Sequence, residues 1–252
     1  MDYDKTFESR GHKYKYATET YPRVLDSEFQ TAINMCDLKS GMILVNIPAA
    51  CVPLHKYLPA DMEIGYIPLE SNKSFAHLTG VPYSPLDAIQ LPDKSADVIV
   101  SLASLHHASD AERRAFYGEC RRVLRPGGRL VIGDVMQGST QDGWLNTFVN
   151  MYNSAGHNGQ FWSGEDARLL EECGFKVTIK NPMYTWDFES NASMIDFCKN
   201  LFGLDWATDR QIERGLIQYL GAQDCSIPWQ LMYFIATVTQ SKDAPKHAPY
   251  PS

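Results

Sequence analysis

The chain has no apolar run approaching the roughly 20 residues that a bilayer-spanning helix needs, so it carries no helical membrane span. None of its six cysteines (Cys36, Cys51, Cys120, Cys173, Cys198, Cys225) stands at a metal-ligand spacing such as C-x-x-C, which leaves no cysteine-based metal centre to read and no metal ligand set to assign. The opening MDYDKTFESRGHKYKY lacks the apolar stretch of a secretory signal. A cytoplasmic protein with reduced, mostly core cysteines is therefore expected. Basic residues are outnumbered, 23 Lys and Arg against 30 Asp and Glu, for a net charge of −7. That balance disfavours nucleic acid, whose phosphates call for clustered cations. The one dense basic group, Arg121, Arg122 and Arg125, falls at the end of a predicted helix, where cations offset the helix dipole. There is also no H-E-x-x-H, no G-x-x-x-x-G-K-[ST] and no G-x-S-x-G, so zinc-protease, P-loop and nucleophile-elbow hydrolase readings have no support.

What is present is a chain of 252 residues, 44% hydrophobic, enough for one large α/β domain with insertions. Phe29, Ala32, Ile33 and Cys36 stand at helical spacing within Glu28–Leu38, and Gly41 follows as a stop. Met42–Ile47, Glu63–Ile67 and a brief Val81–Ser84 read as strands. Ala96–Leu102 (ADVIVSL) reads as a strand buried on both faces. A helix is expected over Asp110–Leu124 with Asp110 as its N-cap, then a turn at Arg125–Gly128 and a buried strand over Arg129–Val135. Ser163 with Asp166 marks the start of a helix that Gly174 ends. Strands follow at Lys176–Ile179, Met183–Phe188 and Trp229–Thr239. This alternation predicts a mostly parallel sheet with helices on both faces and ligands at the carboxyl ends of its strands. Two segments fall outside the alternation, 136–162 and 190–228, and are expected to form helical lid inserts. The second holds helical patterns at Met194–Leu204 and Asp209–Leu220, which read as lid core or a homodimer surface. Residues 1–27 form an N-terminal arm, 28–240 the domain, and 241–252, rich in Pro and polar groups, a disordered tail.

The run from Leu91 to Val135, LPDKSADVIVSLASLHHASDAERRAFYGECRRVLRPGGRLVIGDV, resembles the class I S-adenosylmethionine-dependent methyltransferases, near the ubiquinone/menaquinone-biosynthesis type and the small-molecule group. Ser84-Pro85-Leu86-Asp87-Ala88 ahead of it, the RPGG turn and Gly174–Val177 occur in the family's order. The resemblance implies a Rossmann-like fold with a mostly parallel seven-stranded sheet, S-adenosylmethionine as cofactor and a small-molecule substrate. It places Asp87 and Ala88 at the adenine. It also places Asn46, Pro48, Ala49 and Ala50, with Ser101, Leu102 and Ala103, along the methionine moiety.

Two motifs depart from the family pattern. Where the family has an acid and a glycine-rich turn, this chain reads Asn46-Ile47-Pro48-Ala49-Ala50-Cys51-Val52. Pro48, Ala50 and Val52 replace glycines that adopt positive φ and let the backbone approach the cofactor. Ile67 stands where an acid would hold the ribose, and Glu70 lies three residues on. Two functions are therefore carried forward. One is methyl transfer to a small molecule. The other is a methyltransferase fold that has lost normal cofactor binding and serves as a non-methylating enzyme or a binding subunit.

Three histidines are candidate bases, because imidazole titrates near neutral pH. His106 and His107 follow the ADVIVSL strand, and His157 sits in the polar loop Asn153–Gly159. Asp134 ends a strand at the expected ligand edge, where it would contact substrate or cap the next loop. Trp144, Tyr152 and Trp162 surround His157 in sequence and would line an aromatic substrate pocket. The i, i+4, i+8 spacing of Trp144, Phe148 and Tyr152 equally suits a lid helix packed on a core.

Overall fold

The structure, a computed structural model, describes residues 3–49 and 54–239, with side chains from Arg10 onward. Ala50, Cys51 and Val52 of the first loop and the expected tail 241–252 lie outside the described residues.

Five strands run in one direction: β1 (Ile43–Asn46), β2 (Gly65–Pro68), β3 (Ala96–Leu102), β4 (Leu124–Asp134) and β5 (Phe175–Lys180). A two-stranded ribbon follows from β6 (Met183–Asp187) and β7 (Ser226–Gln230), and then β8 (Met232–Val238). The main sheet has the order β2-β1-β3-β4-β8-β5, with β8 antiparallel to both of its neighbours. Register sets alternate residues on opposite faces, as the two-residue period of a strand requires. Val45 pairs with Ile67 and Ile99, and these face Phe116, Tyr117, Cys120 and Val123 of helix α4 (Asp110–Val123). Leu44, Val98 and Val131 face the other way, toward Phe29, Ala32 and Ile33 of helix α2 (Asp26–Met35). Each of these branched side chains contributes roughly 1.5–3 kcal/mol by leaving water.

The remaining helices are α1 (Tyr3–Thr20), α3 (Lys73–Thr79), α5 (Thr140–Gly143), α6 (Asn150–Tyr152), α7 (Gly164–Glu172), α8 (Asn191–Leu201) and α9 (Asp209–Gly215). In the first insert, α5 and α6 are joined by the π-helical turn Trp144–Val149. In the second, α9 runs into a second π-helical turn, Leu216–Leu220. The N-terminal helix α1 lies across the sheet edge against α3 and α8. Tyr14 packs edge-on to Phe75, and the Tyr21 hydroxyl donates to Asp196 Oδ2 at 2.8 Å. No helix among the described residues is long and apolar enough to cross a membrane.

Several elements differ from expectation. The sheet has six strands, not seven. Val81–Ser84 forms only one bridge, Tyr83 to Glu70, because Pro82 and Pro85 remove the donors that a ladder needs. The last strand is two: Trp229 pairs with Tyr184 in the ribbon, and the chain joins the main sheet only from Met232. The RPGG residues sit inside β4, which starts at Leu124. Gly127 takes φ +78°, and a Cβ on Gly128 would lie 2.8 Å from the Arg125 carbonyl, so this bend needs both glycines. Ser109, not Asp110, caps α4, in a reciprocal capping box with Glu112. Arg121, Arg122 and Arg125 do more than offset a dipole: each reaches a carbonyl or carboxylate beyond its own position, Gly174, Asp93 and Asp97 respectively. Cys36, Cys120 and Cys198 are buried thiols, and Cys173 and Cys225 are half-buried.

Candidate functional site

Three strands, β1, β3 and β4, end at one cavity of about 170 Å³, as the geometry of an open parallel sheet leads one to expect. Its walls come from the turns after those strands, from α1 and α2, and from both inserts. The chain leaves β3 through Ala103, at φ +46°, into the one-turn 3-10 helix Leu105–His107. That turn points His106 and His107 into the cavity, where His157 of the first insert meets them. The ring centroids of His106 lie 4.0 Å from His107 and 5.4 Å from His157, and those of His107 and His157 are 5.3 Å apart.

A buried frame holds these rings. Asp134 ends β4 with no exposed surface. Its Oδ1 lies 2.7 Å from His106 Nδ1, and its Oδ2 accepts from the His106 amide at 3.0 Å. Arg113 of α4, also buried, ties the two histidine segments together. It donates to the Leu105 carbonyl at 3.1 Å, to the Gln160 carbonyl and to Asp166 Oδ1 at 2.7 Å, and it lies over the Trp162 ring. In the insert, Asn146 Oδ1 accepts from the Gly159 amide at 2.8 Å and lies 3.2 Å from His157 Nδ1, while Asn146 Nδ2 donates to the Gly159 carbonyl. Burial, and the neighbouring His106, push His157 down to about 3. Burial, with His106 and His157 beside it, holds His107 well below the usual histidine range. Both are neutral at physiological pH.

The opposite wall is aromatic: Trp186 and Trp229, stacked 4.0 Å apart, with Phe29 and Phe202. Glu28 of α2 lies among them, 5% exposed. Desolvation raises its carboxyl to about 8. Trp186 and Tyr184 stand close enough to favour the anion, but neither makes a well-aligned hydrogen bond to Glu28 Oε2. Arg10 of α1 enters from above. It donates to Asn153 Oδ1 and keeps a buried Nε without a partner.

Of the residues singled out in the sequence, Asn46, Pro48, Ala49, Leu102, Ala103, His106, His107 and His157 line this cavity. The others do not. Ser101 is buried beneath it, its hydroxyl 3.4 Å from that of Ser104. Asp87 and Ala88 are exposed on the loop beyond the Glu70–Tyr83 bridge, at the carboxyl edge of the sheet. Glu70, rather than Ile67, stands at the carboxyl end of β2 beside Asn72, the cap of α3. Its carboxylate is fully buried and accepts from the Asn72 amide at 2.9 Å. Asp134 does not line the cavity and lies buried behind His106. Trp144 is buried and stacked on Phe148. The Tyr152 hydroxyl accepts from Gln211 Nε2 at 3.1 Å. Trp162 is packed between Arg113 and Phe234 on the other face of the sheet. None of these three aromatics lines the cavity, and for Trp144 and Tyr152 the helical spacing also suited packing. The aromatic wall is instead made by Trp186 and Trp229 on the ribbon, which the sequence reading passed over together with Arg10, Glu28 and Asn146. Glu28 had a legible signal: it stands four residues before Ala32, on the apolar face of its helix.

With this geometry in view, comparison with known proteins is informative. Residues 69–132 match the family model described as "Methyltransferase domain". The chain is 47% identical over 58 residues to 27-O-demethylrifamycin SV methyltransferase of Amycolatopsis mediterranei, covering 22% of this chain and 21% of that protein. The curated relatives that match do so over 21–44% of their own length, so the aligned part spans less than half of each. Among solved structures, the YcgJ protein of Bacillus subtilis superposes with a TM-score of 0.59 at 16% identity, covering 85% of this chain and 99% of that one. A phosphoethanolamine N-methyltransferase of Haemonchus contortus, solved with phosphomonomethylethanolamine and S-adenosylhomocysteine, gives 0.58 at 12% identity, over 95% of this chain and 60% of that one. The chain therefore shares the fold of these solved structures, and its segment 69–132 matches the methyltransferase-domain family model.

Proposed function

We propose that this protein transfers a methyl group from S-adenosylmethionine to an O–H or N–H group of a small, largely apolar molecule. The observation that carries this reading is the cavity at the ends of β1, β3 and β4, with His106 in its wall and Asp134 behind it.

The residues present suit the methionine end of the cofactor. Asn46 Nδ2 donates to the Tyr66 hydroxyl at 3.2 Å, which leaves Oδ1 to accept from an ammonium. Arg10 stands on the cavity wall with donors for a carboxylate. Asp87 and Ala88, on the exposed loop of the same sheet edge, suit the adenine. Glu70 is engaged in capping α3 and does not reach the cavity. When bound, the cofactor supplies an electrophilic methyl group on a positively charged sulfur.

The protein's own work is then positioning and proton removal. Asp134 accepts from His106 Nδ1, so the Nε2 lone pair is the basic one, and the buried carboxylate stabilises the imidazolium that forms. His107 and His157, neutral, orient the acceptor by hydrogen bonds. The apolar wall excludes water that would compete for the proton.

The test is calorimetric titration of the full chain with S-adenosylmethionine and S-adenosylhomocysteine. Micromolar binding is expected, and silence at millimolar ligand would remove the methyl-transfer reading. With an acceptor in hand, Asp134→Asn is expected to lower kcat by about 10²- to 10⁴-fold, the range of general-base catalysis, and to leave cofactor affinity unchanged.

A further inference from the structure

The hydrogen bonds at His106 and His157 each mark Nδ1 as the donor nitrogen of the ring. Asn146 has a fixed orientation, because its Oδ1 accepts from the Gly159 amide and its Nδ2 donates to the Gly159 carbonyl. His157 Nδ1, 3.2 Å from that Oδ1, must therefore be a donor, and its Nε2 is left as a bare lone pair. His106 Nδ1 faces the carboxylate of Asp134 at 2.7 Å, so Nδ1 is the donor and Nε2 is the nitrogen through which this ring would bind a metal ion. The frame thus turns the Nε2 atoms of both rings toward one cavity, with the ring of His107 4.0 Å from that of His106 and 5.3 Å from that of His157.

We infer that His106, His107 and His157 form a binding site for a divalent transition-metal ion of the zinc class, with an open coordination position facing the cavity. One ring nitrogen from each residue lies within 4.8 Å of the other two. Nitrogens about 2.1 Å from a tetrahedral ion stand about 3.4 Å apart, so modest side-chain rotation closes the trio. Three imidazole ligands suit zinc, cobalt(II), nickel(II) or iron(II), and a three-histidine set leaves a fourth position for water or a ligand atom. A carboxylate or amide oxygen behind the far nitrogen of a ligating imidazole fixes its tautomer and its aim. Asp134 and Asn146 stand in those places. Arg113 holds the two chain segments together across the site. The inference does not rest on methyl transfer. It does imply that His106 Nε2 serves either as metal ligand or as base, so metal occupancy and His106-dependent proton transfer exclude one another.

The test uses the full chain, free of any affinity tag and dialysed against a chelator, titrated with cobalt(II) alone. One equivalent is expected to bind with micromolar or tighter affinity and to give the intense visible absorption of a four- or five-coordinate nitrogen-ligated cobalt site. His157→Ala and His107→Gln should abolish that signal, with thermal melting in chelator showing that each variant is folded. Asn146→Ala should weaken binding about 10- to 100-fold, the usual cost of losing such a supporting group. No saturable one-equivalent binding to the wild type would overturn the site. So would equal cobalt affinity in the folded His107→Gln variant. Because no cofactor is present, failure here leaves the methyl-transfer reading to its own titration.

Discussion

Glu28 is a carboxyl group of helix α2 buried in the cavity wall that Trp186 and Trp229 also line. Burial pushes it up to about 8, from an ordinary carboxyl value of about 4.5. Between those two values the unfolded chain gives up this proton while the native protein keeps it, so stability falls as pH rises through the window. Its contribution is full below about 4.5 and is lost by about 8. Glu28→Gln removes the slope. Urea unfolding should show a variant that gains on wild type from pH 5 to pH 8, by on the order of 2–4 kcal/mol. An unchanging difference across that range would mean that Glu28 is already ionised in the fold. The same group decides what the cavity accepts, because a protonated Glu28 offers a donor to an acceptor on the ligand, whereas an ionised one asks for a cation.

At the scale of elements, the two inserts work as one cover. The π-helical turn of the first packs Phe148 against Tyr219 of the second, and Gly215 at the end of α9 lies directly under the Phe148 ring. A Cβ there would come within 2.5 Å of that ring. Gly215→Ala is therefore expected to lose about 1–3 kcal/mol by overpacking, against the usual gain of alanine in a helix. A melting temperature equal to or above that of wild type would show that the inserts separate easily. The helices themselves are set locally. Ser109, Ser163, Ser190 and Thr208 each begin a helix with a reciprocal capping box, and each capping pair is readable as a polar residue followed three positions later by another.

On the scale of the whole molecule, α1 converts an open sheet edge into a closed chamber. It brings Arg10 and Tyr14 to the cavity wall and is latched to α8 through Asp196, which accepts from Tyr21 at 2.8 Å and from Tyr16 at 3.2 Å. Two surface-side bonds of this kind are weak relative to a packed core, so α1 is the natural element to lift for ligand entry. Hydrogen exchange should show the amides of 3–20 slowing when saturating S-adenosylhomocysteine is present, while those of β3 and β4 stay protected throughout. Exchange of α1 unaffected by bound ligand would remove its role as a cover.

The α/β class, the strand ADVIVSL and the buried helix faces were legible, because each depends on residues two to four apart, a distance over which the chain's own period decides what is buried; the cap at Ser163 was legible too, whereas α4 is capped by Ser109, one residue before the expected Asp110. The break in the first loop was legible too, since Pro48 stands in sequence where a glycine would be needed. His106 and His107 could be placed at a strand end for the same reason. That His157 joins them, 50 residues on, could not be read locally, nor could Asp134 lying behind His106, Asn146 orienting His157, or Trp186 and Trp229 forming the aromatic wall. Those contacts arise between separate elements, and they exist only once the sheet order and the two inserts have brought the elements together. Trp144, Tyr152 and Trp162 carry the mirror lesson. An aromatic residue near a histidine in sequence has two sides of a sheet or helix to choose from, and only the packed core decides whether it faces a ligand or a neighbour.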